Sequence, residues 1–518
     1  MTARGVDWWR YRPAAWRAAF AGLRPAALLL PAVLSPPTML LLAGCMVGPD
    51  YKRPGTEVPI AYKELAGWKP ATPRDAIDRG AWWSIYDDPE LDQLEQQVAI
   101  SNQNVKSFEA AYRAAEALVR ETQAGLFPTL GTTASVTRTR SGGGSGGATS
   151  SGVVVGGGGS GAIRTQYTAN ASASWTPDFW GKIRRQVESD VAAAQVSAAD
   201  LANARLSAQA TLATDYINLR YEDSLQHLLT ETVAAYRRAL EITQNQYAAG
   251  TVSSADVVTA QAQLQTTQAQ LIAVGVLRGQ YEHAIAILTG HPPADLTIPV
   301  TALPQDVPVV PAGIPSELLE RRPDIAGAER TMDQQNALIG VAISAYYPDI
   351  TLSALFGFAG NPLSQLFSTA NRVWSLGAAA SDTIFDGGAR SAAVDIARDT
   401  YDQSVATYRQ AVLTAFQQVE DQLVALRVLA QQAAAEDVAV ASAQKAVAVT
   451  MNEYLAGTVA YTSVITEQTL LLGDQQTALA IQQSRLVASA TLVEALGGGW
   501  GTGDLPTDFA IRPKQLVP

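Results

Sequence analysis

The chain has 518 residues, of which 16% are charged, and its formal net charge is −11 with a pI of about 4.9. This length allows two globular domains or one elongated domain. The acidic balance, with no basic stripe along the chain, argues against a nucleic-acid partner. A mean hydropathy of +0.03 is too low for a bundle of membrane helices and too high for a disordered chain.

Residues 1–44 have the pattern of an export signal. Five arginines lie within the first 24 residues, and an apolar stretch broken by prolines follows them. The lone cysteine, Cys45, ends a Leu-Ala-Gly-Cys run that resembles a bacterial lipobox. We therefore expect Cys45 to be acylated, with palmitate as the lipid, and to become the new N-terminus. Met46 in place of Asp favours the outer membrane; the alternative is an incidental cysteine beside a conventional cleavage site.

Residues 45–81 are expected to form an extended tether that lies on the rest of the protein, because prolines punctuate them. A helix is predicted from Trp82 to about Gly125, with Pro89 in the first turn after Asp88.

Two strands are predicted next, at residues 129–140 and 162–180, because small or β-branched residues alternate there with polar ones. Residues 141–161 between them are mostly Gly and Ser, and this composition predicts a flexible loop. A lid is one interpretation of such a loop, but a tolerated surface insertion is the simpler one.

A long helix is predicted twice, from Gly181 to Gly250 and from Gly388 to Gly457, with no insertion between the copies. Apolar residues recur every seven positions and no proline interrupts either copy, which is typical of a coiled-coil seam. At 1.5 Å per residue each helix is about 100 Å long. Two or three ordinary helices are the alternative, but their loops would drift in length.

Each long helix ends at a glycine suited to a left-handed cap, Gly250 or Gly457. A turn then leads into a returning helix, and Ser253 with Asp256 has the spacing of a capping pair. The predicted returning helices cover about 256–288 and 463–496.

The chain therefore consists of two structural repeats. The first spans 82–300, the second spans 301–500, and 501–518 are expected to be a loose C-terminal tail. The second repeat is predicted to contain a helix over 315–345 and two further strands.

Four strands with lipid-like alternation cannot stay open in a membrane, because every backbone group there must be paired. A bacterial barrel needs at least about eight strands, so several chains must contribute to one barrel. The long helices are too polar on their other faces to enter lipid, and we expect them to stand in the aqueous compartment beneath it.

No sequence signature of an enzyme is present. There is no nucleophile with a neighbouring base and no pair of catalytic carboxylates, so we expect no catalytic residues and no cofactor. The three histidines have no metal-like spacing, and no metal site is expected.

Several motifs resemble those of the TolC-like outer-membrane factors of bacterial tripartite efflux pumps, in their lipoprotein branch. They are Arg321-Arg322-Pro323-Asp324, Ile339-Gly340-Val341-Ala342, Tyr347-Pro348, Gly48-Pro49-Asp50-Tyr51 and Trp180-Gly181. The resemblance implies a mostly α fold with a small β part, in which three chains form a twelve-stranded transmembrane β-barrel and a periplasmic α-barrel. It also implies an inner-membrane pump and a periplasmic adaptor as partners, and small toxic compounds as cargo. The alternative is the outer-membrane conduit of a type I protein secretion system.

In the TolC-like family the closed periplasmic end lies at the two helix turns. The resemblance therefore implies that the tip and gate residues here are Tyr247, Gly250, Asp256, Tyr454, Gly457 and Val459. Asp256 and Tyr454 match positions that help to hold the tip shut. Val459, Ser463 and Thr466 stand where relatives often carry charge, so we expect closure by hydrogen bonds and apolar contact. A purely structural role for Asp256, as a helix cap, is the alternative.

Overall fold

The computed structural model describes residues 46–56, 58–59, 61–65, 81–140, 163–310 and 319–512. The signal residues 1–44, the predicted acylation site Cys45 and the Gly/Ser-rich loop 141–161 lie outside these described residues.

Helices make up most of the described chain. They are α1 (Pro89–Ser101), α2 (Gln103–Ala124), α3 (Lys182–Ala248), α4 (Ser254–Leu288), α5 (Pro323–Ser344), α6 (Ala389–Leu455), α7 (Tyr461–Ala495) and α8 (Asp508–Ile511). The strands are β1 (Thr129–Arg140), β2 (Ile163–Trp175), β3 (Asp349–Gly360) and β4 (Arg372–Ser381). Short 3-10 turns lie at Lys63–Leu65, Trp82–Tyr86, Pro293–Asp295, Leu363–Gln365, Thr369–Asn371 and Thr502–Asp504.

The two long helices, α3 and α6, each contain 67 residues. Both begin after a glycine in the left-handed conformation, Gly181 with φ 80° and Gly388 with φ 93°. The returning helices α4 and α7 each contain 35 residues. The predicted fold class, mostly helical with a small β part, is confirmed, and the equal lengths reflect the internal duplication.

The four strands form one antiparallel sheet in the order β1-β2-β3-β4. The register pairs Val136 with Tyr167, Ala171 with Phe356 and Phe356 with Trp374. Because side chains alternate across a sheet, these residues share one face. The β2–β3 pairing joins the two repeats, and it leaves β1 and β4 at the edges of the sheet.

The helix predicted over 82–125 is in fact two helices, because the chain breaks at Asn102. Its backbone leaves the helical region with ψ 122°, and its side-chain oxygen accepts hydrogen bonds from Asn104 N (2.9 Å) and Val105 N (3.1 Å). Its amide nitrogen donates to the Leu288 carbonyl at 2.8 Å. Asn102 thus caps α2 and fixes the end of α4, and the single-helix prediction was wrong here.

The largest hydrophobic core lies where α1, α5 and α7 pack against the middle of the long helices. It contains Trp82, Leu91, Leu212, Leu219, Ile325, Tyr408, Val419 and Leu492, all of which are at most 2% exposed. Burial of each such side chain contributes roughly 1.5–3 kcal/mol. This core holds the two repeats together at mid-height.

The described part of the tether, residues 46–65, lies on the helices, and its hydrogen bonds hold it against α6. Arg53 donates to the Tyr408 hydroxyl at 3.0 Å. The backbone amides of Lys63 and Glu64 donate to the Glu420 carboxylate at 2.7 and 3.0 Å. The start of the first repeat is thereby attached to the second.

The linker between the repeats is bound in a corresponding way. Arg220 donates to the Pro299 carbonyl at 2.6 Å, and Arg278 donates to the Ile298 carbonyl at 2.7 Å. Arg427, 207 positions after Arg220, pairs instead with Glu64 of the tether. Each repeat therefore uses the same helix position to bind an extended segment.

The C-terminal residues 501–512 are packed, so the prediction of a loose tail was wrong for this stretch. Ile511 is 3% exposed and lies against Val187 and Val191 of α3. The Gln195 amide donates to the Pro506 carbonyl at 3.1 Å and to the Asp508 carboxylate at 2.9 Å. One apolar side chain in a ready-made gap and two hydrogen bonds are enough to order a short segment.

Candidate functional site: the paired helix turns

Both helix turns have the predicted left-handed glycine cap. The φ angles are 79° at Gly250 and 75° at Gly457. In each turn the following threonine amide donates back into the long helix, Thr251 N to Gln246 O and Thr458 N to Glu453 O, both at 3.0 Å. This six-residue bond is the Schellman arrangement, in which glycine takes the position that other residues occupy at a cost.

The two turns of one chain meet in a small hydrophobic cluster. Four helices contribute to it, with Ala239 from α3, Ala260 from α4, Tyr454 from α6, and Tyr461 and Val464 from α7. The rings of Tyr454 and Tyr461 lie 5.1 Å apart at a tilt of 53°. The cluster joins both hairpins into one packed unit.

Tyr454 crosses between the hairpins. Its side chain is 6% exposed, and its hydroxyl donates to the Gln246 side-chain oxygen near the end of α3. Burial raises the pKa of Tyr454, and the nearby charge of Asp256 adds to the effect. Burial also raises the pKa of Tyr461 to about 12. Both hydroxyls are therefore protonated at neutral pH and available as donors.

Val459 packs on the edge of this cluster, as does Val252 at the matching position of the first turn. The apolar contact expected around Val459 is thus present within one chain, against neighbours from both hairpins.

Asp256 forms a capping box with Ser253. Its carboxylate accepts from the Ser253 amide at 3.0 Å and from the Ser253 hydroxyl at 2.8 Å. The Asp256 amide in turn donates to the Ser253 hydroxyl at 3.4 Å. The predicted capping pair is therefore present, and within a single chain Asp256 stabilises the start of α4.

Tyr247, the counterpart of Tyr454, points away from the cluster and is 51% exposed. Gln246 and Tyr461, in contrast, take part in the cluster but were not predicted from the sequence. The heptad column included Tyr247 and Tyr454 but not their neighbours. A comparison of the copies offers a weak signal, since Ser254 stands at the position that Tyr461 occupies in the second repeat.

Within the described part of the chain, no group of three or more potential metal ligands comes together. In the same residues, one helix, α4, is long and apolar enough by composition to cross a membrane, although only 17% of its most apolar window is buried. The structure thus leaves an apolar surface on α4 uncovered in the single chain.

The sequence pattern described as outer membrane efflux protein matches residues 94–291 and 314–498, which together form both repeats. The chain belongs to this family. The probable efflux pump outer membrane protein TtgC of Pseudomonas putida is 28% identical over 467 residues, covering 89% of this chain and 94% of TtgC. The pyoverdine export outer membrane protein OpmQ of Pseudomonas aeruginosa is 30% identical over 464 residues, with coverages of 89% and 95%.

The solved outer-membrane channel OprN has the same fold, with a TM-score of 0.79 at 27% identity, and the match covers 88% of this chain and 100% of OprN. The predicted identity as a TolC-like outer-membrane factor is confirmed. This efflux channel is an outer-membrane protein that serves as an exit conduit. The members of its family are channel proteins rather than enzymes.

Proposed function

We propose that three copies of this chain form one exit channel, with their sheets closed into a single twelve-stranded barrel. The observation that carries the proposal is the open sheet, because β1 and β4 each keep one unpaired edge. In lipid an unpaired backbone group costs several kcal/mol, so the edges must pair with other copies. Three copies is the number that the TolC-like family uses, and it exceeds the minimum of about eight strands.

The uncovered surface of α4 supports the same assembly. Val258, Ile272 and Val276 are between 60% and 78% exposed in the single chain. In a closed ring of helices this surface would pack against the neighbouring chain, as heptad seams do. The α-barrel would extend the conduit through the periplasm, and an adaptor and an inner-membrane pump would deliver cargo to it. The cargo class that fits is small toxic compounds, since TtgC and OpmQ are named for efflux and pyoverdine export.

We also propose that acylated Cys45 attaches the chain to the inner leaflet of the outer membrane. Met46, the next residue, packs against Gly181 just beyond the end of β2, where an added Cβ on Gly181 would lie 2.9 Å from the Met46 Cα. The acyl chains would contribute about 0.8 kcal/mol per buried CH₂. A Cys45→Ser protein exported by a conventional signal should still form trimers. Loss of the trimer in that variant would mean that the lipid is needed for assembly.

The paired turns would form the closed periplasmic end. Symmetry-related copies of Tyr454, Val459 and Asp256 would approach the axis, so that each weak contact acts three times. Because Tyr454 and Val459 already join both hairpins of one chain, each protomer should open as one unit. Asp256 would contribute mainly as a cap, and as a latch only through contacts between chains.

Two experiments test the proposal. Native mass spectrometry of the purified protein should give a trimer, and a dimer, whose eight strands could also close, would refute it. Single-channel recording in planar bilayers should then show a mostly closed channel whose closed-state conductance rises in Asp256→Ala with Tyr454→Phe. An unchanged conductance would reject the latch and leave Asp256 as a cap. In cells, deletion of the channel should raise sensitivity to toxic compounds; loss of an exported protein instead would favour the type I secretion alternative.

A further inference from the structure

The charged residues of the strand regions are all arginines. Over residues 129–177 and 350–381 the sequence contains Arg138, Arg140, Arg164 and Arg372, and it contains no Asp, Glu or Lys. The whole chain has a net charge of −11. Positive charge is therefore concentrated in the sheet, while acidic residues lie in the helical part.

Three of the four arginines lie on the apolar face of the sheet. The register pairs Arg138 with Thr165, Arg140 with Ile163, and Arg372 with Phe358. By alternation this face also carries the exposed side chains Leu130, Val136, Phe356, Trp374 and Leu376. Arg164, which pairs with Thr139, lies on the opposite face among serines and threonines.

All four arginines lie at the end of the sheet that is remote from the helices. β1 follows α2 and β3 follows α5, so the strand ends near residues 129 and 349 adjoin the helical part. The arginines occupy the other ends, at 138–140, 164 and 372. In an outer-membrane channel whose helices stand in the periplasm, this end faces the outer leaflet.

Aromatic side chains locate the membrane boundary next to these arginines. Trp374 lies two residues inward from Arg372 on the same face, and Tyr167, opposite Val136, lies just inward from Arg138. Trp175 lies near the other end of β2, eight residues or about 26 Å from Tyr167. This separation matches the apolar band of about 25 Å between the two aromatic girdles of outer-membrane barrels. The arginines therefore lie at head-group depth.

Among the described residues, no acid or carbonyl partner engages the side chains of Arg138, Arg140 and Arg372, and all three are exposed. A guanidinium on the lipid face must reach a polar or anionic group to avoid an uncompensated charge. Its planar donors match phosphate oxygens in a bidentate way. The lipid phosphates of the outer leaflet supply this partner at the right depth.

β1 and β4 are the two edge strands, and the proposed trimer brings β4 of one protomer beside β1 of the next. We propose that Arg138 and Arg140 of one protomer, together with the partner subunit's Arg372, form a binding site for the phosphate groups of an outer-leaflet glycolipid. Three such sites would surround the barrel at the protomer boundaries. The inference rests on the proposed trimer, and the bound lipid would bridge neighbouring chains.

The test compares the wild-type protein with a triple variant, Arg138→Gln, Arg140→Gln and Arg372→Gln. Trimers are reconstituted into phosphatidylcholine vesicles with or without bis-phosphorylated lipid A, and retained lipid is counted by native mass spectrometry. At about 1 kcal/mol for each arginine near a charged surface, the triple variant should bind lipid A about a hundredfold more weakly. Replacement of the same three residues by Lys should restore most of the binding.

Arg164→Gln is the matched control, because it removes the same charge at the same end of the sheet but on the opposite face. It should retain lipid A like the wild type. Equal retention by the triple variant, or equal loss in Arg164→Gln, would overturn the site. Equal binding of dephosphorylated lipid A, or displacement of lipid A by inorganic phosphate, would also overturn it. If the wild type forms no trimer, the assembly proposal fails; if trimers conduct but the triple variant binds normally, only the lipid site fails.

Discussion

The two hairpin tips have the same backbone but different side-chain roles. Both long helices end at a left-handed glycine with the same back-bonded threonine. The first tip has a capping box, whereas Ala460 at the matching position of the second makes no side-chain cap. Conversely, Tyr454 is 6% exposed while its counterpart Tyr247 is 51% exposed. The duplication thus preserved the turn and left each tip free to acquire one function, a cap or a buried clasp.

The largest expected effect is on the buried clasp. Tyr454→Ala should destabilise the second tip by about 3 kcal/mol, because a buried aromatic ring is lost from the cluster. Hydrogen exchange of the Thr458 amide measures this local opening. Tyr247→Ala is the control, and it should change exchange at Thr251 by less than about 0.5 kcal/mol, because its ring is half exposed. Equal losses at both tips would mean that the difference in burial has no energetic consequence.

The glycines should show the opposite behaviour, with equal effects. Gly250→Ala and Gly457→Ala should each cost about 1–2 kcal/mol, because each φ is positive and only the backbone strain differs from glycine. An added Cβ at either position meets no atom within 4 Å, so no clash confounds the comparison. Gly473→Ala inside α7 should instead stabilise its helix by roughly 1 kcal/mol. A clear inequality between the two turns, measured by exchange of the same amides, would show that their backbones are not equivalent.

The capping difference can be reversed. Asp256→Ala should destabilise the first tip by about 1 kcal/mol, because the capping box is lost. Ala460→Ser should stabilise the second tip by a similar amount, since Ala460 is exposed and has the extended backbone of an N-cap. Thermal unfolding and local exchange measure both changes. If Ala460→Ser has no effect, the missing cap does not limit the stability of the second tip.

The smallest expected effect isolates the hydrogen bond across the hairpins. Tyr454→Phe keeps the ring and removes the donor to Gln246, so the cost should be about 0.5–1 kcal/mol. Gln246→Ala should show a similar cost, and the double variant should cost little more than either single one. Strict additivity of the two changes would show that the hydroxyl and the amide do not interact in solution.

The sequence predicted those elements whose signals are local. The period of seven and the glycine at Gly250 and Gly457 were sufficient for the long helices and their caps, and β1 has the predicted bounds, 129–140. The break at Asn102 was not predictable in this way, because it depends on a bond to Leu288, 186 positions later. The Tyr454–Gln246 contact spans 208 positions. No periodicity within one helix contains information of that kind.

The arginine site shows the same limit from another side. Charge composition alone reveals that the strand regions contain only arginines, but composition does not reveal their faces. The register was needed to place Arg138 and Arg372 with Trp374 and to place Arg164 opposite them. A one-residue slip in a strand would have reversed the assignment, because alternate side chains point to opposite faces.

The contacts of the tether also determine an order of folding. Arg53 and Glu64 lie near the start of the mature chain, yet they bind Tyr408 and Arg427, about 360 residues later. The first segment to emerge from the secretion machinery must therefore remain unpaired until almost the whole polypeptide has crossed the inner membrane. Contacts of such high sequence separation form late and slowly. A docked tether thus reports a completed chain, and a chain truncated before α6 would expose it to periplasmic proteases.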